Sequence, residues 1–186
     1  GSSSFQSTDS PAFELAPGKY SITVDGQYDA VGDYSLRIVD ADAAAELSPG
    51  TRVSGTLDGG NKTAVYSFSA NAGDKFFFDA ESVTGANAYW RLIDPYGRVE
   101  MGSQYLGSDR DTFSVARTGK YLLLVDGQYN NTVAVNYSFN LRSVTDSTTP
   151  LALNSVATAT IDQIGKTANF TFSIERETPV IFDSLS

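Results

Sequence analysis

Apolar residues alternate with Ser, Thr, Asn or Arg in short runs along this chain. The clearest are Tyr20/Ile22/Val24, Tyr34/Leu36/Ile38, Tyr66/Phe68, Tyr137/Phe139/Leu141 and Phe170/Phe172/Ile174. A period of two marks strands that bury one face, and the β-branched and aromatic residues that fill these runs suit a pleated surface. Turn formers stand between them: Pro17-Gly18, Asp25-Gly26, Pro49-Gly50, Asp58-Gly59-Gly60, Ala72-Gly73-Asp74, Asp94-Pro95-Tyr96-Gly97 and Asp126-Gly127. In Asp94-Pro95-Tyr96-Gly97 the proline presets φ for a type I turn and the glycine closes it. Only Ala41 to Leu47 reads as helix, a short connector. Strands at this turn-punctuated spacing predict an all-β chain, an antiparallel β-sandwich. Trp90, the single tryptophan, is expected in its core.

The pattern also repeats. GKYSITVDGQY at Gly18 to Tyr28 returns as GKYLLLVDGQY at Gly119 to Tyr129, and YSLR at Tyr34 to Arg37 matches YSFNLR at Tyr137 to Arg142. Gly55 to Ser82 then matches Ala159 to Ser186, with Lys62-Thr63-Ala64 answered by Lys166-Thr167-Ala168 and Phe78-Asp79 by Phe182-Asp183. The order of matches predicts tandem repeats of about 100 residues in a shifted frame. Residues 43–144 form a complete repeat, 1–42 the back half of a preceding one, and 145–186 the front half of a following one. Neither flank supplies an equivalent of Val83 to Glu100.

Composition narrows the chemistry. There is no His and no Cys, which removes the Ser-His-Asp triad, the Cys-His pair, histidine- or thiolate-ligated zinc and disulfides. Glu14, Glu46, Glu81, Glu100, Glu175 and Glu177 show no correspondence between repeats, so no carboxylate pair of the glycosidase kind stands out. The chain is therefore expected not to be an enzyme. A net charge of −9 disfavours nucleic acid, which needs a basic face. No apolar run approaches the ~20 residues that span a bilayer, so no membrane insertion is expected. The opening Gly1-Ser2-Ser3-Ser4 has neither Met nor a basic, apolar leader, so an export signal is expected to lie outside this sequence.

The motif order VSGTLDGGNKTAVYSFSANAGDKFFFDAES, WRLIDPYGRV, DTFSVARTGKYLLLVDG and NYSFNL resembles the bacterial pre-peptidase C-terminal (PPC) domain. The resemblance covers the whole complete repeat and, in halves, both flanks. It implies a jelly-roll-like β-sandwich, secreted and either appended to proteases or strung in arrays within surface proteins, with calcium or extracellular polymers bound by some members. The chain departs from the family pattern at Ala64-Val65 and at Asn87-Ala88-Tyr89-Trp90, where many members carry acidic residues, while Asp94 is retained.

Candidate sites are few. Asp25, Asp29 and Asp33 place three carboxylates within nine residues, a set of hard oxygens for calcium, although turn-forming Asp accounts for Asp25 and its twin Asp126 without a metal. No EF-hand pattern occurs, and Asp109 and Asp111 read as a solvated loop. Tyr28, Tyr129 and Tyr96 sit at expected loop tips, positions that either stack on a sugar or pack against a neighbouring domain. The flanks carry the remaining expectation. A half-sandwich leaves strand edges and a core face uncovered, so each flank needs its complement. The front half of one chain joining the back half of the next gives a head-to-tail contact that grows into a filament unless it closes. Intramolecular pairing of the flanks is the competitor. The sequence thus leads to a non-catalytic extracellular or cell-surface structural or adhesive repeat protein that self-associates. The alternative is an accessory module of a secreted enzyme, binding a carbohydrate or protein polymer.

Overall fold

The computed structural model describes residues 12–25, 28, 31–33, 35–128 and 131–184. Eleven strands are present among them: β1 (Ala45–Glu46), β2 (Arg52–Leu57), β3 (Thr63–Ala70), β4 (Lys75–Thr84), β5 (Ala88–Ile93), β6 (Val99–Tyr105), β7 (Arg110–Ser114), β8 (Gly119–Gly127), β9 (Val135–Val144), β10 (Ser147–Pro150) and β11 (Ala168–Thr171). The chain divides into two compact units, Gly1–Ser143 and Val144–Ser186.

The first unit holds a β-sandwich. One sheet runs β1-β3-β8-β5-β6 and the other β2-β9-β4-β7; β2–β9, β3–β8, β4–β7, β5–β6 and β5–β8 pair antiparallel, and the short pair β1–β3 is parallel. Alternation dictates which residues meet between the sheets. Tyr121, Leu123 and Val125 of β8 turn inward and are fully buried, as are Ala88, Trp90 and Leu92 of β5 and Phe139 and Leu141 of β9. Trp90 fills the centre, stacked on Phe78 at 4.2 Å between centroids, and Phe78 stacks in turn on Phe139 at 5.0 Å. Offset stacks of this kind add to the burial of the rings themselves. The expected core role of Trp90 and the expected sandwich are both observed.

The Asp94-Pro95-Tyr96-Gly97 turn closes the β5–β6 hairpin. Gly97 N donates to Asp94 O at 3.0 Å, while Asp94 Oδ1 accepts from Tyr96 N and Arg98 N, both at 2.8 Å. Gly97 sits at φ 75°, a left-handed conformation that costs glycine little.

Two expectations need correction. Ala41 to Leu47 is not helical: residues 41–43 form a bend and turn, and Ala45–Glu46 pair with β3. Leu47 N donates to Ser67 O at 2.9 Å and the Leu47 side chain enters the core, so tertiary pairing overrides the helix propensity of the alanines. The alternating run Tyr20/Ile22/Val24 is not a strand either, nor are Leu36 and Ile38, and Tyr34 lies outside the described residues. Their pattern suits a strand, but among the described residues none of them joins a sheet.

The second unit contains a parallel pair, β10–β11, in which Thr149 faces Phe170. Its register matches that of β1–β3, where Ala45 faces Tyr66, at an offset of 104 residues. Smaller details recur at the same offset. Leu151 N donates to Thr171 O at 2.8 Å as Leu47 N does to Ser67 O, and Ser155 N donates to Ala152 O as Thr51 N does to Ser48 O. Asn154 adopts φ 61° where Gly50 has φ 89°. Lys166 pairs with Asp162 at 2.7 Å where Lys62 approaches Asp58 at 3.5 Å.

Candidate functional site

Asp25 and Asp33 lie on exposed, irregular backbone, and Asp29 lies outside the described residues. Among the described residues no group of three acidic, His or Cys side chains is close enough to hold a metal ion. The twin of Asp25 has a structural occupation. Asp126 Oδ1 accepts from Thr63 Oγ1 at 2.8 Å, and its Oδ2 meets Arg91 Nε at 2.8 Å. Both side chains of that ion pair are largely out of water, so the guanidinium satisfies the carboxylate charge that burial would otherwise penalise. Asp109 and Asp111 are exposed and tie down backbone, on Ala80 N and Thr112 N respectively.

The nearest approach to an acidic cluster joins Asp94, Glu100 and Arg117. Asp94 Oδ2 lies 3.1 Å and Glu100 Oε2 3.6 Å from Arg117 Nη1. Glu100 Oε1 also accepts from Ala116 N, and the Arg117 guanidinium lies 5.8 Å from the centroid of the exposed Tyr96 ring. Both carboxylates converge on one cation and on backbone N–H groups, the wiring of a hairpin tied to the β7–β8 connection. Tyr28 is exposed with φ 58°, and Tyr129 lies outside the described residues.

The flanks present the most extensive unmet chemistry. Tyr20 and Ile22 are 59% and 53% exposed, whereas the residues aligned with them, Tyr121 and Leu123, are 0% exposed. Phe182 is 82% exposed where its counterpart Phe78 is 0%. Ile161, Phe172, Val180 and Ile181 are likewise exposed, against buried Leu57, Phe68, Phe76 and Phe77. Their local motifs survive all the same. Tyr20 Oη donates to Ala16 O at 2.6 Å, as Tyr121 Oη does to Arg117 O at 2.8 Å. Of the exposed side chains, Tyr20, Ile22 and Phe172 belong to runs whose alternation predicts a buried face. Among the described residues no second sheet belongs to either flank that would cover them.

Solved structures similar to the chain include the pre-peptidase C-terminal domain of a collagenase from Bacillus anthracis (23% identity, TM-score 0.40, covering 53% of this chain and 94% of that one). Two periplasmic inhibitors of g-type lysozyme are also similar. The one from Aeromonas hydrophila has 16% identity and a TM-score of 0.41, covering 53% of this chain and 96% of that one. The one from Salmonella Typhimurium has 25% identity and a TM-score of 0.40, covering 54% and 99%. No protein-family model matches the chain, and no curated protein matches it.

Proposed function

We propose that this chain is a non-catalytic, exported structural or adhesive repeat protein that associates head-to-tail through its two flanks. In this reading residues 1–42 and 145–186 are complementary halves of one β-sandwich, and 43–144 is a complete one. The observation that carries it is the exposure of Tyr20, Ile22, Phe172, Ile181 and Phe182, whose aligned residues are core. Apolar side chains in such number on two faces mark surfaces that become buried in an assembly. The shared register of β10–β11 and β1–β3 supports it, because the C-terminal flank begins to build the same fold. Size-exclusion chromatography with light scattering across a concentration series, followed by electron microscopy, tests it. The expected result is a mass that rises with concentration, with filaments or rings. A strictly monomeric species at high concentration would overturn it.

A second reading rests on Tyr28 and Tyr96, both exposed: a module that stacks loop tyrosines on an extracellular polymer. Retention on a polysaccharide or collagen matrix, lost in Tyr28→Ala, would favour it. Calcium at Asp25, Asp29 and Asp33 belongs to either reading, and a rise in Tm on titrating calcium, absent in Asp25→Asn, is the expected sign.

A further inference from the structure

We infer that the C-terminal flank pairs with one specific segment of a second copy, Gly18 to Asp25, in a fixed antiparallel register. This rests on the association proposed above and specifies it. The register comes from the sandwich itself. There β3 and β8 pair from Thr63↔Asp126 through Ala70↔Gly119. The counterpart of β3 is residues 167–174, which include β11, and the counterpart of β8 is residues 18–25. Transferring the pairs gives Thr167↔Asp25, Ala168↔Val24, Asn169↔Thr23, Phe170↔Ile22, Thr171↔Ser21, Phe172↔Tyr20, Ser173↔Lys19 and Ile174↔Gly18.

Three features of the chain fit this pairing. The inward pairs are apolar: Ala168 with Val24, Phe170 with Ile22, and Phe172 with Tyr20, the last standing where the sandwich has the Phe68–Tyr121 stack at 5.7 Å, while Ile174 faces Gly18. Every complete outward pair is polar: Asn169 with Thr23, Thr171 with Ser21, and Ser173 with Lys19. In the sandwich the same outward places hold Val65, Leu122 and Leu124, so the flanks show a cleaner alternation than the strands they copy. A slip of one residue would turn Tyr20, Ile22 and Val24 to water, so the pattern pins the register. Finally, Thr167 faces Asp25 as Thr63 faces Asp126, where hydroxyl and carboxylate bond at 2.8 Å. Asp25 thereby acquires a role at the junction that needs no metal.

Within the described chain neither segment has this partner. The sheet containing β11 has two strands, and residues 18–25, with Gly26 and Gln27 outside the described set, carry none. A second copy brings both together by strand addition.

The absence of cysteine makes the test direct. Asn169→Cys and Thr23→Cys are prepared in separate chains, each substitution falling on an exposed residue, then mixed and oxidised mildly. Directly opposite residues in an antiparallel pair have Cα atoms roughly 4.5–5.5 Å apart, within disulfide reach. A covalent heterodimer is expected from this mixture and from Ser173→Cys with Lys19→Cys. None is expected from Asn169→Cys with Lys19→Cys, about 13 Å out of register at ~3.3 Å per residue. Because each chain carries one cysteine, intramolecular closure cannot produce the product. Thr167→Val is expected to weaken association roughly tenfold, since it removes one hydrogen bond to a charged group, while Thr167→Ser restores it. Association by light scattering with cross-links at shifted pairs, or at none, overturns the register and leaves the association standing. A monomer that forms no cross-link overturns both.

Discussion

Tyr121, Leu123 and Val125 form the middle of a sheet, whereas Tyr20, Ile22 and Val24, set in nearly the same words, form no strand at all. The difference lies in their neighbours. β8 has β3 on one edge and β5 on the other, so its backbone groups and one face are satisfied. Features needing only nearby residues persist in both places: the Tyr20–Ala16 bond, the left-handed Asn154 and the Lys166–Asp162 pair. β8 is paired along both edges, whereas residues 18–25 belong to no strand among the described residues. Strand structure is a cooperative property of pairing and burial, and an amphipathic pattern supplies only half of it.

The sharpest way to break this comparison is to remove the same ring from both regions. Phe78→Ala is expected to cost ~3–5 kcal/mol, because the site is enclosed by Trp90 and Phe139 and a cavity remains. Phe182→Ala, made at a surface position, is expected to change monomer stability by less than ~0.5 kcal/mol. Urea unfolding at low concentration measures both, and equal losses would mean that the flank has a core of its own. A milder version removes one hydroxyl. Tyr121→Phe takes away bonds to both Arg117 N and Arg117 O and is expected to cost ~1–2 kcal/mol. Tyr20→Phe, exposed and bonded only to Ala16 O, is expected to cost a few tenths.

Alkaline titration extends the contrast to protons. Burial first, and then the hydrogen bond with Tyr66 at 2.7 Å, push the Tyr137 phenol well above the ordinary tyrosine range. Burial also raises Tyr121. A folded-state pKa above the unfolded one stabilises the fold at pH below ~10 and is lost as pH climbs toward the folded value. Phenolate absorbance is therefore expected to show Tyr137 and Tyr121 ionising only on unfolding. The smallest effect concerns Asp162, whose carboxyl is held below the usual range chiefly by the hydrogen bond from Lys166. Its stabilising influence is present above the unfolded carboxylate pKa and fades as pH falls through the folded one. Lys166→Met should return Asp162 to ordinary titration by NMR, with a barely measurable change in melting temperature.

Much of the sandwich was legible in sequence. The alternation of Tyr137/Phe139/Leu141, the turn at Asp94 to Gly97 and the core place of Trp90 all follow from local pattern and from ring size. Ala41 to Leu47 misled because its alanines favour helix locally, while Leu47 is claimed by a distant core and Ser67 by its backbone. The partnership of Asp126 with Arg91, 35 positions away, had no sequence signal, since any acidic residue at a turn looks alike.

By itself, then, the sequence determined the periodicity and the turns, because backbone sterics and side-chain alternation act over a few residues. It also determined the exclusion of His and Cys chemistry, which depends only on residue type. Tertiary structure decided which alternating runs became strands. It decided which aspartates were neutralised by arginine and which apolar faces stayed in water, because those outcomes depend on chain segments brought together from far apart.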